Sequence, residues 1–98
     1  MTAENSLPAV SIRIFFTSDT LDEEGIPSIY RSYQISGRAA LPNEAPSGYG
    51  VAKVAPLSDD APALVPDEVQ APGGAEGAIA AAIEQLKMLN PGLECKGA

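Results

Sequence analysis

The stretch AVSIRIFFT, Ala9 to Thr17, constrains the fold more than any other part of the chain. Val10, Ile12, Ile14 and Phe16 fall on one side of a period-two pattern, and Ser11, Arg13, Phe15 and Thr17 fall on the other. That alternation of branched and apolar residues is the pattern of a β-strand with one buried face. Such a face needs a second layer, because an apolar strand surface left in water forfeits the burial that drives folding. One segment can supply the layer. In AEGAIAAAIEQLKMLN, residues 75–90, Ile79, Ala82, Ile83, Leu86 and then Leu89 or Asn90 recur at spacings of three and four, the stripe of an amphipathic helix. Pro72-Gly73-Gly74 and the carboxylate of Glu76 mark its start, and Asn90-Pro91-Gly92 marks its end.

Two more segments read as strands. SIYRSYQISGRAAL, 28–41, puts Ile29, Tyr33 and Ile35 on one face, and YGVAKVAPL, 49–57, is short and branched. Arg31 interrupts the inner face of the second strand, which places it at the sheet's edge, and Gly50 weakens the third. Turn formers in SDTLDEEGIP and PNEAPSG join the strands. Connections this short make an antiparallel meander. The expected architecture is therefore one α+β domain over 1–98: a three-stranded antiparallel sheet, strands near 9–17, 28–41 and 49–57, packed by one C-terminal helix at 75–90. Large apolar residues are scarce, so the core is expected from Val10, Ile12, Ile14, Phe15, Phe16, Ile29, Tyr33, Ile35, Val51, Val54, Ile79, Ile83, Leu86 and Leu89, with Ile83 at its centre.

Between the third strand and the helix lies LSDDAPALVPDEVQAPGG, residues 57–74, with the acids Asp59, Asp60, Asp67 and Glu68 and three prolines. Connections of this length in a compact domain are either functional or disordered. Prolines restrict the free chain, and Leu64 with Val65 can pin the middle of the segment to the domain. The expectation is a semi-rigid acidic loop with Asp59-Asp60 and Asp67-Glu68 projecting on either side of the pin. A second acidic group, Asp22, Glu23 and Glu24 beside Asp19, falls in the first hairpin loop, while Arg13, Arg38 and Lys53 fall on strands. Carboxylates clustered in this way resemble a row of phosphates to an arginine- or lysine-lined groove.

Composition excludes several chemistries. The chain has no histidine, which removes the commonest general base, the usual zinc ligand sets and every Ser-His or Cys-His pair. The single cysteine, Cys95, has no second thiol to bridge and is expected as an exposed tail thiol in a reducing setting. The paired carboxylates read as solvated clusters, since acid catalysis needs two held at fixed separation in a cleft. Asp19, Asp22 and Glu24 ahead of Gly25 depart from the calcium-loop spacing, and no phosphate-loop motif accompanies Gly73-Gly74. Thirteen acids against six bases give a net charge of −7, which opposes direct contact with nucleic acid or an anionic membrane and favours a basic protein partner. MTAENSLPAV carries no leader-like basic segment, and no apolar run is long enough for a bilayer.

In size, charge and layout over the whole chain, with the acidic segments DTLDEE and SDDAPALVPDE as its loops, the protein resembles the small acidic inhibitors by which phages block bacterial defence, of the anti-CRISPR and anti-restriction type. The resemblance carries over no functional residue. It implies a cytoplasmic, non-enzymatic protein without cofactor or metal, whose partner is a nucleic-acid-binding defence complex blocked by occlusion or acidic mimicry. The competing reading is a small assembly accessory that self-associates, through a low-relief helix strip of Ala78, Ala81, Ala82 and Gln85.

Overall fold

A computed structural model describes residues 9–26 and 28–97. The N-terminal stretch read for a leader, residues 1–8, lies outside them. The chain forms β1 (Ala9–Thr17), β2 (Tyr30–Ala39), β3 (Tyr49–Pro56), β4 (Glu68–Pro72), α1 (Gly74–Leu89) and β5 (Glu94–Gly97). The strands make one antiparallel sheet in the order β4-β3-β2-β1-β5. The α+β class and the meander of the first three strands are as expected. The strand count is corrected from three to five, because half of the 57–74 segment's return is a strand and the helix is followed by another.

Helix α1 lies on one face of the sheet, over β2, β3 and β4. Its buried residues are Ala78, Ile79, Ala82 and Leu86, which meet Ile35, Ala52, Val54 and Val69 in a single core. Ile83 is only partly buried against that core, so the centre of the stripe is shifted one turn either way, to Ile79 and Leu86. Two glycines explain how the helix comes so close. A Cβ on Gly37 would lie 2.6 Å from Ile79 Cγ1, and one on Gly50 would run into the Gly74 carbonyl. Gly50 therefore does not merely weaken β3; it makes room for the first turn of α1. The helix begins at Gly73, φ 99°, with Glu76 in its first turn, and ends at Asn90 with Gly92 at φ 80°, as the capping residues require.

The crossover from β4 to β5 carries the chain from one edge of the sheet to the other. It brings Leu93 and Cys95 against the core beside Ile14 and Phe16. Cys95 is therefore part of a strand and half-buried, not an exposed tail thiol, and burial pushes its thiol pKa up. Val10, expected in the core, is 48% exposed because it lies beyond β5, which flanks only Ile14–Thr17. Arg31 lies at an end of the sheet, as expected: it pairs with Phe16 of β1, and the β2–β3 ladder begins only at Tyr33.

In an antiparallel meander alternate connections share an end. The β1–β2 hairpin loop, the β3–β4 segment and the end of α1 consequently gather at one end of the sheet, and the 40–48 loop and the start of α1 at the other. The β1–β2 hairpin stays laddered past Thr17, through Ser18 N–H to Ile29 O at 3.1 Å, Ser28 N–H to Thr20 O at 2.9 Å and Asp22 N–H to Ile26 O at 2.8 Å. It forms an arm reaching about 17 Å past Thr17, at the usual strand rise, which accounts for the elongated 53 × 27 × 19 Å envelope.

Candidate functional site

The two acidic segments lie at the same end of the sheet, but they are held in different ways. After β3 the chain makes a closed excursion. Leu57 N–H donates to Ser32 O at 2.8 Å, Ser32 N–H donates to Ser58 Oγ at 2.7 Å, and Ala61 N–H donates to Ser58 O at 3.1 Å. Leu64 then turns inward and is buried, whereas Val65 beside it is 87% exposed. The pin is thus Leu64 alone. Val54 N–H closes the loop by donating to Asp67 O at 2.8 Å, and β4 follows.

A polar network locks the same loop to the helix end. Tyr33 Oη donates to Pro62 O at 2.7 Å, and Asn90 Nδ2 donates to Tyr33 Oη at 3.2 Å and to Leu86 O at 2.8 Å. Arg31 Nη1 donates to Asn90 Oδ1 at 3.0 Å, and Arg31 Nε lies 3.5 Å from Asp60 Oδ2. Asn90 is 1% exposed, so its amide needs these partners to be tolerable in the interior. Burial raises the Tyr33 pKa, opposed by the Asn90 hydrogen bond and the Arg31 charge. The phenol stays a donor to Pro62 through neutral pH.

The residues marked by sequence separate accordingly. Asp59 and Asp60 are exposed on the turn after β3, and Asp60 is partly engaged by Arg31. Asp67 is exposed at the loop's close, and Glu68 belongs to β4, opposite Lys53 in register. Glu68 therefore lies on the sheet face away from the helix and not on a loop tip, as expected from its place in the 57–74 segment. Asp22, Glu23 and Glu24 occupy the arm tip, all exposed. Asp22 Oδ1 accepts from the Glu24 and Ile26 N–H groups, both at 2.9 Å. It shapes the turn, while Glu23 and Glu24 project.

The sheet face away from the helix carries a further group of charges. At the end far from the arm, Arg38 donates to both Glu44 carboxylate oxygens at 2.7 Å. Together with the Leu41 N–H, this holds the Glu44 carboxyl down to about 2. The 41–48 loop is folded back by this pair beside a 190 Å³ groove lined by Ser36, Arg38, Val51, Lys53 and Glu68. At the arm's root the same face shows Arg13, Phe15, Tyr30 and Lys96, with the two aromatic rings 5.3 Å apart.

Among the described residues no group of three or more His, Cys, Asp or Glu side chains is arranged to hold a metal ion. No helix of the described residues is long and apolar enough to cross a membrane. Arg31, Tyr33 and Asn90, which fix the acidic loop, are absent from the sequence-based site. Arg31 offered the one local signal, a base on an apolar face. Compared with protein-family models, curated proteins and solved structures, the chain matches none of them.

Proposed function

We propose that the chain is a non-enzymatic binding protein whose acidic end docks on a basic, nucleic-acid-binding protein and blocks it by occlusion or charge mimicry, in the cytoplasm. The observation that carries this reading is the convergence of two acidic segments at one end of the sheet, one of them locked in place by Leu64 and the Arg31–Asn90–Tyr33 network. A fixed loop loses little entropy on docking, so its carboxylates can be matched to a groove at low cost. The anti-CRISPR and anti-restriction inhibitors are the class whose mode of action this layout fits.

The test is capture on the immobilised chain at low salt, followed by identification of what a salt gradient releases. The expected product is a basic nucleic-acid-binding protein whose nucleic acid is displaced in proportion to added chain, one for one. Release of only acidic or neutral proteins, or turnover of a substrate by substoichiometric chain, contradicts the reading.

Self-association is the second reading. The helix strip offers it little support, since Ala78 and Ala82 face the sheet and only Ala81 and Gln85 are left toward solvent. What remains open is the uncovered sheet face.

A further inference from the structure

The β1–β2 arm is polarised along its length. Its tip carries Asp19, Asp22, Glu23 and Glu24 with no base, and exposes Leu21 and Ile26 at 57% and 52%. Its root carries Arg13, Lys96 and Glu94 around the Phe15–Tyr30 pair, two bases against one acid, and Tyr30 is 49% exposed. Arg31, Arg38 and Lys87 each meet a carboxylate, but neither Arg13 nor Lys96 makes an ion pair among the described residues. Tip and root lie about 24 Å apart along the strands, seven residues at the usual rise. Beyond Thr17 the arm has no third strand beside it among the described residues, and a lone two-stranded ribbon is marginal in water.

We propose that two copies of the chain pair through these arms, antiparallel, with the acidic tip of each lying over the basic, aromatic root of the other. A two-fold axis through the middle of the arm matches tip to root twice, so the contact is isologous and closes at a dimer. Carboxylates of Glu23 and Glu24 meet Arg13 and Lys96, and Leu21 and Ile26 meet Phe15 and Tyr30. Charge and apolar surface are thus complementary in one geometry. Of the loop acids, Asp59 and Asp67 stay free and Asp60 stays beside Arg31. A basic partner of the kind proposed above competes for the tips, so its binding dissociates the dimer; the dimer itself does not rest on that reading. The contact is small, and the dimer is expected to dissociate in the roughly micromolar to millimolar range.

Sedimentation of the full chain across that range tests the pairing. The expected result is a concentration-dependent passage from the 10.1 kDa monomer to twice that mass. Arg13→Glu with Lys96→Glu, the root-swapped chain, and Glu23→Lys with Glu24→Lys, the tip-swapped chain, each weaken self-association by about tenfold or more. Mixed in equal amounts, the two chains restore a dimer, because the acidic root of one meets the lysine tip of the other while the unchanged tip and root still match. A net-charge effect behaves differently: the root-swapped chain is more negative than the parent's −7 and the tip-swapped chain less so, so the tip swap alone would strengthen association. Should a swapped chain lose its fold by circular dichroism, Arg13→Gln with Lys96→Gln must still weaken the dimer. A chain monomeric throughout, a tip swap that strengthens pairing, or a mixture that fails to restore it overturns the proposal.

Discussion

The arm tip, with four acids, and the 57–67 loop, with three, lie at the same end of the sheet, yet they differ in what holds them. The loop is built into the molecule: Leu64 in the core, Pro62 bonded to Tyr33, Asp60 near Arg31, Ser58 bonded to Ser32. The arm is held by its own ladder and by Asp22 on its turn. Charge in a sequence thus says nothing about how firmly it is presented. Firmness comes from the apolar and uncharged residues in between, and it sets how much entropy a partner must remove.

The largest test of that difference is Leu64→Ala. Losing a buried leucine should cost about 2–5 kcal/mol, with hydrogen exchange rising across 58–67. Leu21→Ala in the arm tip should stay within about 0.5 kcal/mol, as exposed substitutions do. Equal melting temperatures for the two variants would erase the distinction. Next in size is Asn90→Ala, which strips partners from Arg31 and Tyr33 at once and should cost about 1–3 kcal/mol. Exchange should quicken in the loop and stay unchanged in the arm. Tyr33→Phe keeps the ring in the core and removes only the bond to Pro62 and the acceptor for Asn90, so about 1 kcal/mol is expected. Asp22→Ala is the counterpart in the arm: faster exchange at Glu24 and Ile26, with little change in global stability.

The smallest effect belongs to the opposite end of the molecule and serves as a control. Glu44 titrates at about 2 instead of 4.5, chiefly through its hydrogen bonds with Arg38. A depressed carboxylate stabilises the fold in full above its unfolded pKa and loses that contribution as pH falls through the folded one. The gap in melting temperature between the parent and Glu44→Gln should therefore be constant at neutral pH and close between pH 4.5 and about 2. A gap that persists at the acid limit would assign the difference to packing instead of charge.

Much of the fold was readable from local pattern, and what was missed was not local. β1 and α1 announce themselves because each buries a regular face, and their periods survive in the sequence. β4, EVQAP, offers one large apolar residue, Val69, between acids and a proline; as an edge strand it needs only one side of its backbone paired, so it lacks the branched run that marks an inner strand. β5, ECKG, is four residues long and is recruited by β1's free edge. The role of Arg31 was not legible because its partner is Asn90, 59 residues away. The acidic residues themselves were legible, since charge needs no context, and the pin at Leu64 was half legible as Leu64-Val65. That the β1–β2 loop and Asp59-Asp60 share an end follows already from a three-stranded meander; β4 adds that Asp67 returns to that end.

The central claim is that the acidic end is a recognition surface whose fixed loop contributes more than its arm. Its most direct test is calorimetric titration of the captured basic partner, at low salt, against three chains: the parent, a loop variant with Asp59→Asn, Asp60→Asn and Asp67→Asn, and an arm variant with Asp22→Asn, Glu23→Gln and Glu24→Gln. The account predicts that both variants stay folded, that affinity falls by about tenfold or more in the loop variant and by less in the arm variant, and that salt weakens the parent most. A loop variant that binds as tightly as the parent would contradict it.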